Sequence, residues 1–217
     1  MLGLLLTNYY LVYRSFFAYT GLAILVSGLI LYFGDTSMYR ITAMLIILLM
    51  SMPALEVIKY EGKTGYDKYV LTLPVTRKNI VQSHYFFYLL VVFIGSLLSY
   101  GFFYVYGLIT DITIDGIFNI VSFGIYIVLF AGSIVYPLLY IFGSEKSDAI
   151  VIGGGIGGLF STFALQSLVG NILEKLPTYN QQIDSSFYVS IIYIIFGILI
   201  YFLSFFIAVI IYQKKDF

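Results

Sequence analysis

The sequence contains no cysteine and one histidine, His84. Without cysteine there can be no disulfide, no thiol nucleophile and no thiolate metal site. A single histidine also disfavours a histidine-based metal site within one chain. Basic and acidic residues number eleven each, so the net charge offers no argument for nucleic-acid binding. The common metal, redox and nucleic-acid functions therefore find no support in the composition.

Charged residues are also scarce. They make up 10% of the chain, whereas soluble domains contain roughly a quarter. Apolar residues make up 61%, and the mean hydropathy is +0.99. No polar stretch exceeds about thirty residues, which is less than the roughly 50 that a small domain needs. The composition predicts an all-α polytopic membrane protein, with residues 1–217 forming a single transmembrane domain.

Six apolar stretches are long enough to cross a membrane, which takes roughly 20 residues. Six crossings place both termini on one side, and nine of the eleven basic residues fall on that side. The positive-inside rule predicts that this side is cytoplasmic, with Asp111, Asp115 and the loop 170–186 outside. The predicted spans are about 16–33, 38–58, 85–107, 117–142, 149–169 and 187–212.

Two local features refine this layout. Residues 1–13 mix leucine with asparagine and tyrosine, which predicts a separate N-terminal helix at the cytoplasmic interface; the alternative is that they extend the first span. Pro137 lies inside the fourth span and should free a backbone carbonyl that a neighbouring helix must satisfy.

No ionisable residue falls at mid-membrane, where ion-coupled carriers usually place one. His84 lies at a membrane edge with no predicted ionisable partner, so we interpret it as an interfacial histidine and not a proton relay. Ser133, inside the fourth span, would need a histidine to act as a nucleophile, and no catalytic residue is predicted. Energy for any transport should therefore come from outside this chain.

A run of glycines opens the fifth span. Gly153, Gly155 and Gly158 match the spacing of a dinucleotide-binding motif, but the strand–helix–strand unit that this motif requires is missing. Glycines one helical turn apart let another helix approach closely, so we predict helix packing within the chain, with a dimer contact as the alternative. The pairs are Gly153 with Gly157 and Gly154 with Gly158.

The longest polar stretch, residues 56–85, interrupts the apolar sequence between spans two and three. Gly62 and Gly65 are predicted to break the helix that leaves the second span. An apolar stripe at helical spacing follows, and Pro74 ends it. The stripe consists of Tyr66, Tyr69, Val70 and Leu73.

Thr76 is placed to cap a new helix that continues into the third span. Arg77 and Lys78 then fall in the first turn of that helix, where positive charge is unfavourable. Both are therefore expected to meet lipid headgroups or an acidic partner. A connecting segment thus runs over residues 59–84 between the second and third spans.

This pattern resembles the small permease subunits of ABC type-2 exporters, in particular the six-span group that includes the phenol-soluble-modulin exporter permeases. The resemblance rests on Glu56, Glu61, the run Gly65–Tyr69, and the run Leu73–Val81 that leads to Tyr85. In that family this segment is a coupling helix that sits in a groove of a separate ATPase, and we therefore call residues 66–81 the coupling element. The resemblance implies that Tyr66, Asp67, Tyr69, Val70, Leu73, Pro74, Thr76, Arg77 and Lys78 couple to the ATPase.

The resemblance also implies the partners. They are a P-loop ATPase subunit and a second permease copy, identical or paralogous, in the plasma membrane of a bacterium. This chain would hold no cofactor, and ATP and Mg would bind the partner ATPase. The cargo would be amphipathic or hydrophobic, with peptides implied at subgroup level. The alternatives are a stand-alone secondary transporter or channel and, more remotely, an intramembrane enzyme using Ser133 or His84.

Overall fold

A computed structural model describes residues 2–110, 116–174 and 185–215. Within these residues all regular structure is helical, and six helices are long and apolar enough to cross a membrane, which confirms the predicted fold class. Asp111, Asp115 and most of the predicted outer loop 170–186 lie outside the described residues. The helices are α1 (Leu2–Phe33), α2 (Tyr39–Thr64), α3 (Tyr66–Tyr69), α4 (Arg77–Thr110), α5 (Ile117–Phe142), α6 (Ser147–Glu174) and α7 (Ser185–Gln213).

The N-terminal residues belong to the first span. Helix α1 runs from Leu2 to Phe33 without a break, so the prediction of a separate interfacial helix is wrong. Leu4, Asn8 and Val12 are buried at four-residue spacing and keep this part of the helix against the bundle. At about 1.5 Å per residue, the 32 residues of α1 extend well beyond a hydrocarbon core of about 30 Å.

Helices α2 and α5 form the centre of the bundle. The most apolar stretches of these two helices are 56% and 61% buried, whereas that of α1 is 17% buried. The largest contact between helices is that of α5 with α7. The apolar side chains that α1, α6 and α7 turn outward are then available to lipid or to a second copy of the chain.

Four tyrosines fill the interior where α4, α5 and α7 meet, and we call them the core tyrosines. Neighbouring rings lie 4.8–5.6 Å apart between centroids. Their hydroxyls bond across helices, which satisfies the polar end of each buried ring. The core tyrosines are Tyr85, Tyr88, Tyr136 and Tyr201.

Pro137 lies inside α5, as predicted. A proline removes the hydrogen bond to the carbonyl four residues earlier, which is that of Ser133. The Ser204 hydroxyl of α7 donates to this carbonyl at 2.6 Å, and it also contacts the Tyr85 hydroxyl at 2.7 Å. The neighbour that the sequence required is therefore present, and it joins α5 to α7.

Nine basic residues lie at one end of the bundle, which we call the basic end. Contacts such as Lys59 with Asp148, and Arg77 with the end of α7, bring distant parts of the sequence together there. The residues are Arg14, Lys59, Lys63, Lys68, Arg77, Lys78, Lys146, Lys214 and Lys215.

Candidate functional site

The coupling element begins at Gly65. This residue has φ +71°, a left-handed conformation that suits glycine, and it ends α2. Gly62, in contrast, lies inside α2, so the prediction that it breaks the helix is wrong. A Cβ at Gly62 would lie 2.7 Å from the Cβ of Ser144, so this glycine allows the turn between α5 and α6 to approach closely.

The structure confirms that the first helix of the coupling element ends before Pro74 and that a new helix begins after Thr76. Helix α3 continues as a 3-10 turn over Val70–Thr72, and Leu73 then turns to an extended conformation ahead of Pro74. The backbone amide of Asn79 donates to the Thr76 hydroxyl at 3.2 Å, so Thr76 caps α4. The coupling element is thus a short helical turn joined by a capped start to a 34-residue helix.

The apolar stripe of the coupling element faces mainly inward. Val70 is 1% exposed and belongs to the core, while Tyr66 and Leu73 pack against the same core. Tyr69 is the exception, because it is 58% exposed. The stripe therefore seats the element on its own bundle, and Tyr69 remains on the outer surface.

The outer surface of the coupling element is mostly polar. It presents hydroxyl groups, two lysines, an aromatic ring and a proline. The exposed residues are Lys68, Tyr69, Thr72, Pro74, Thr76 and Lys78, and Asp67 is partly exposed beside them. These side chains are the part of the coupling element that faces away from the bundle.

The Arg77 side chain bonds to backbone groups of its own chain. Its Nη1 donates to the backbone carbonyls of Gln213 at 2.9 Å and Lys215 at 2.8 Å. A third carbonyl, that of Tyr212, lies at 3.4 Å. The guanidinium is therefore placed on the C-terminal end of α7, a partner within the chain.

A buried polar cluster lies directly behind the coupling element. The His84 imidazole contacts a Glu61 carboxylate oxygen at 3.1 Å through Nε2 and the Tyr140 hydroxyl at 2.8 Å through Nδ1. Glu61 is 5% exposed and His84 is 2% exposed. The prediction that His84 has no ionisable partner is wrong, because α2 and α4 run antiparallel and bring the two residues together.

This cluster borders a polar cavity of about 120 Å³. Residues from α2, α3, α4, α5 and α7 line it, among them Asp67, Tyr212 and Lys215. A cavity of this volume and polarity has room for water. The cavity therefore lies beside the Glu61–His84 contact, and Asp67 of the coupling element borders it.

The C-terminal part of α2 is also joined to α6. Lys59 forms an ion pair with Asp148 in the first turn of α6, where a carboxylate is favourable. Together with the close approach of Ser144 to Gly62, this pair ties the α5–α6 turn to the helix that leads into the coupling element. The α5–α6 turn and the coupling element are therefore both attached to α2.

Three of the four glycines predicted to pack in α6 lie against α5, and Gly153 does not. A Cβ at Gly154 would collide with the Val135 side chain, and one at Gly158 would lie 2.9 Å from the Ile127 carbonyl oxygen. A Cβ at Gly157 would lie 3.2 Å from Ile134, while one at Gly153 would have no atom within 4 Å.

Gly158→Ala should lower the stability of the protein. Overpacking costs about 1–3 kcal/mol, and the atom that the new methyl meets is backbone, which moves least easily. Gly153→Ala is the matched control and should leave stability unchanged or raise it slightly, since alanine favours helix. Thermal unfolding midpoints in detergent measure both, and equal midpoints for the two variants would contradict the close approach of α6 to α5.

An apolar cavity of about 240 Å³ lies between α2, α5 and α6. Its walls are aliphatic, methionine and glycine residues, with Ser51 and Tyr88 as the polar members. Such a surface suits the apolar part of a ligand. Among its lining residues are Met44, Leu48, Met52, Ile127 and Ile156.

Catalytic geometry is not assembled at Ser133. Its hydroxyl donates to the Phe130 carbonyl of its own helix at 2.6 Å, and both ring nitrogens of His84 have the partners described above. The serine and the histidine are therefore each engaged elsewhere.

The profile of a family described as "ABC-2 family transporter protein" matches residues 3–213. No curated protein and no solved structure matches the chain. The match covers nearly all of the six-helix bundle, including the coupling element and the cluster behind it. The chain therefore belongs to the ABC-2 transporter family, as a multi-pass membrane permease subunit.

Proposed function

We propose that the chain is the permease of an ATP-driven exporter in which a separate P-loop ATPase docks on the coupling element. ABC-2 permeases work with an ATPase partner, and the observation that carries this proposal is the polar outer face on a seated, capped element. Displacement of such an element would be passed directly into α4, because Thr76 starts that helix without a flexible linker. ATP and Mg would bind the partner.

The proposed exporter contains two permease copies, identical or paralogous, and two ATPases. The basic end would face the cytoplasm of a bacterium, since positive residues favour that side of the plasma membrane. The apolar outer sides of α1, α6 and α7 offer surface both for lipid and for the second copy. Alternating access between the two copies would then move the cargo outward.

We further propose an amphipathic or hydrophobic cargo, with peptides as one class. The apolar cavity between α2, α5 and α6 favours a ligand with an apolar portion. The abundance of Phe and Tyr, 20 and 22 residues, suits the same chemistry.

Purification tests whether the chain associates with an ATPase. Expressed alone, the chain should hydrolyse no ATP, whereas expressed with its neighbouring genes it should co-purify with a P-loop ATPase. Lys78→Glu, on the exposed face, should weaken that association, and Lys146→Glu, a basic residue outside the coupling element, serves as the charge control. A stable, transport-active preparation that contains no ATPase would overturn the proposal.

One observation favours the alternative of a stand-alone secondary transporter. Glu61 and His84 form a buried ionisable pair, and ion-coupled carriers use such groups. The pair lies at the basic end and not at mid-span, which fits a carrier less well. Uptake or efflux in liposomes that is driven by an ion gradient without ATP would establish this alternative.

A further inference from the structure

The last turn of an α-helix leaves backbone carbonyls that the helix itself does not bond. These carbonyls carry partial negative charge, and a cation there is stabilising. Arg77 supplies that cation, since its guanidinium lies within 2.8–3.4 Å of three carbonyl oxygens, those of Tyr212, Gln213 and Lys215. The first residue of α4 is therefore the cap of α7.

A second cation continues this connection from α7 to α5. The Lys215 ammonium donates to the Tyr140 carbonyl at 3.0 Å, two residues before the end of α5. Tyr140 in turn bonds His84 of α4 through its hydroxyl. The ends of α4, α5 and α7 are thus joined in a closed ring of contacts.

This arrangement explains the charge of Arg77. A positive residue in the first turn of α4 is unfavourable for that helix. The same residue is favourable for α7, whose end carries the opposite partial charge. Lys78, the next residue, is exposed on the outer face.

We propose that Arg77 and Lys215 form a clasp that makes the end of α7 part of the coupling apparatus. A displacement of the coupling element would then move α7 and α5 as well as α4. Arg77 and Lys215 transmit it, because they bond to backbone carbonyls at the ends of these helices. The extensive contact between α5 and α7 would carry the movement along both helices. Arg77 and Lys215 are positioning residues here, and the coupling role rests on the proposed function.

A spin label tests the clasp without any ATPase. The chain contains no cysteine, so Gln213→Cys gives one labelling site, and its exposed side chain leaves the bonded carbonyl in place. In lipid nanodiscs, Arg77→Gln should reduce the immobilised population of this label by about tenfold or more, as expected for lost charge-assisted hydrogen bonds. Lys215→Gln should act in the same direction from the other side of the clasp.

The chain supplies a matched control for each variant. Lys78→Gln removes the same charge one residue from Arg77, and Lys214→Gln does so one residue from Lys215. Neither control should change the label spectrum. Should Arg77→Gln fail to fold, the Lys215→Gln and Lys214→Gln pair decides the question alone. Spectra that are equal within each pair overturn the clasp.

The coupling role is measured in the complex with the co-purified ATPase. Arg77→Gln should retain the ATPase and hydrolyse ATP but lose export per ATP, whereas Lys78→Gln should lose ATPase association. Equal loss of association in both variants would make Arg77 a docking residue and overturn the proposal. If no ATPase co-purifies, the proposed function fails, while the spin-label result still decides whether the clasp exists.

Discussion

Leu73→Asp should abolish export while leaving the chain inserted in the membrane. Leu73 is partly buried and packs against the same core as Val70, so a carboxylate there must be desolvated or must lift the coupling element off the bundle. Burying an uncompensated charge costs several kcal/mol, which is more than the packing of a short helical turn can offset. Export of a labelled cargo from proteoliposomes that contain the ATPase complex measures the effect.

Two variants separate the effect of the new charge from the effect of losing the apolar contact. Leu73→Met conserves an apolar side chain of similar volume and should keep export. Thr72→Asp places the same charge on the exposed neighbour, and its export should exceed that of Leu73→Asp. Unimpaired export in Leu73→Asp would mean that the connecting segment is a passive loop.

Glu61→Leu should destabilise the protein by about 1–3 kcal/mol, because removing one partner of a buried hydrogen bond leaves the other unsatisfied. Glu61 and His84 are both almost fully buried and contact each other at 3.1 Å. The expected loss is measured as a shift of the unfolding transition in mixed micelles titrated with SDS. Glu61→Gln, which keeps a hydrogen-bonding side chain without the charge, should lose less.

A double-mutant cycle with His84→Leu isolates the contact. The double variant should lose less stability than the sum of the two single variants, since neither buried group is then left unpaired. Glu145→Gln, an exposed carboxylate near the same end of the bundle, should change little and serves as the control. Additive losses would show that the two residues do not interact.

The features that were predicted well depend on chemistry within a few residues. The Thr76 cap needs only the amide of Asn79, and the effect of Pro137 falls on Ser133 four residues earlier. The six spans follow from apolar runs that no other environment would accommodate. Such properties are set before the helices pack together, so the sequence alone reveals them.

The features that were missed depend on how helices meet. Glu61 and His84 are 23 residues apart, and their contact requires the register of α2 against α4. A signal was present, because the two residues lie near opposite ends of the polar stretch, on helices that must run antiparallel. For Arg77 the signal was its unfavourable charge, but a partner 135–138 residues away could not be read from it.

The predictions for Gly62 and for the N-terminal residues were wrong for related reasons. Glycine costs about 1 kcal/mol inside a helix, so Gly62 suggested a break. The close approach of Ser144 offsets that cost, which only the packed structure reveals. Likewise, tyrosines and Asn8 suggested an interfacial helix, whereas Asn8 is buried and its amide lies 3.5 Å from the Ser83 hydroxyl of α4.

The core tyrosines restrict the kind of motion that the bundle can make. Tyr88 of α4 bonds the Val128 carbonyl of α5, and Tyr136 of α5 bonds the Ala54 carbonyl of α2. Sliding one helix past another by a turn, about 5.4 Å, would break these bonds and leave buried groups unpaired. Shear between these helices is therefore costly, whereas rotation of the bundle as a rigid body leaves every such bond intact. We expect the permease to tilt as one block against its neighbours in the membrane.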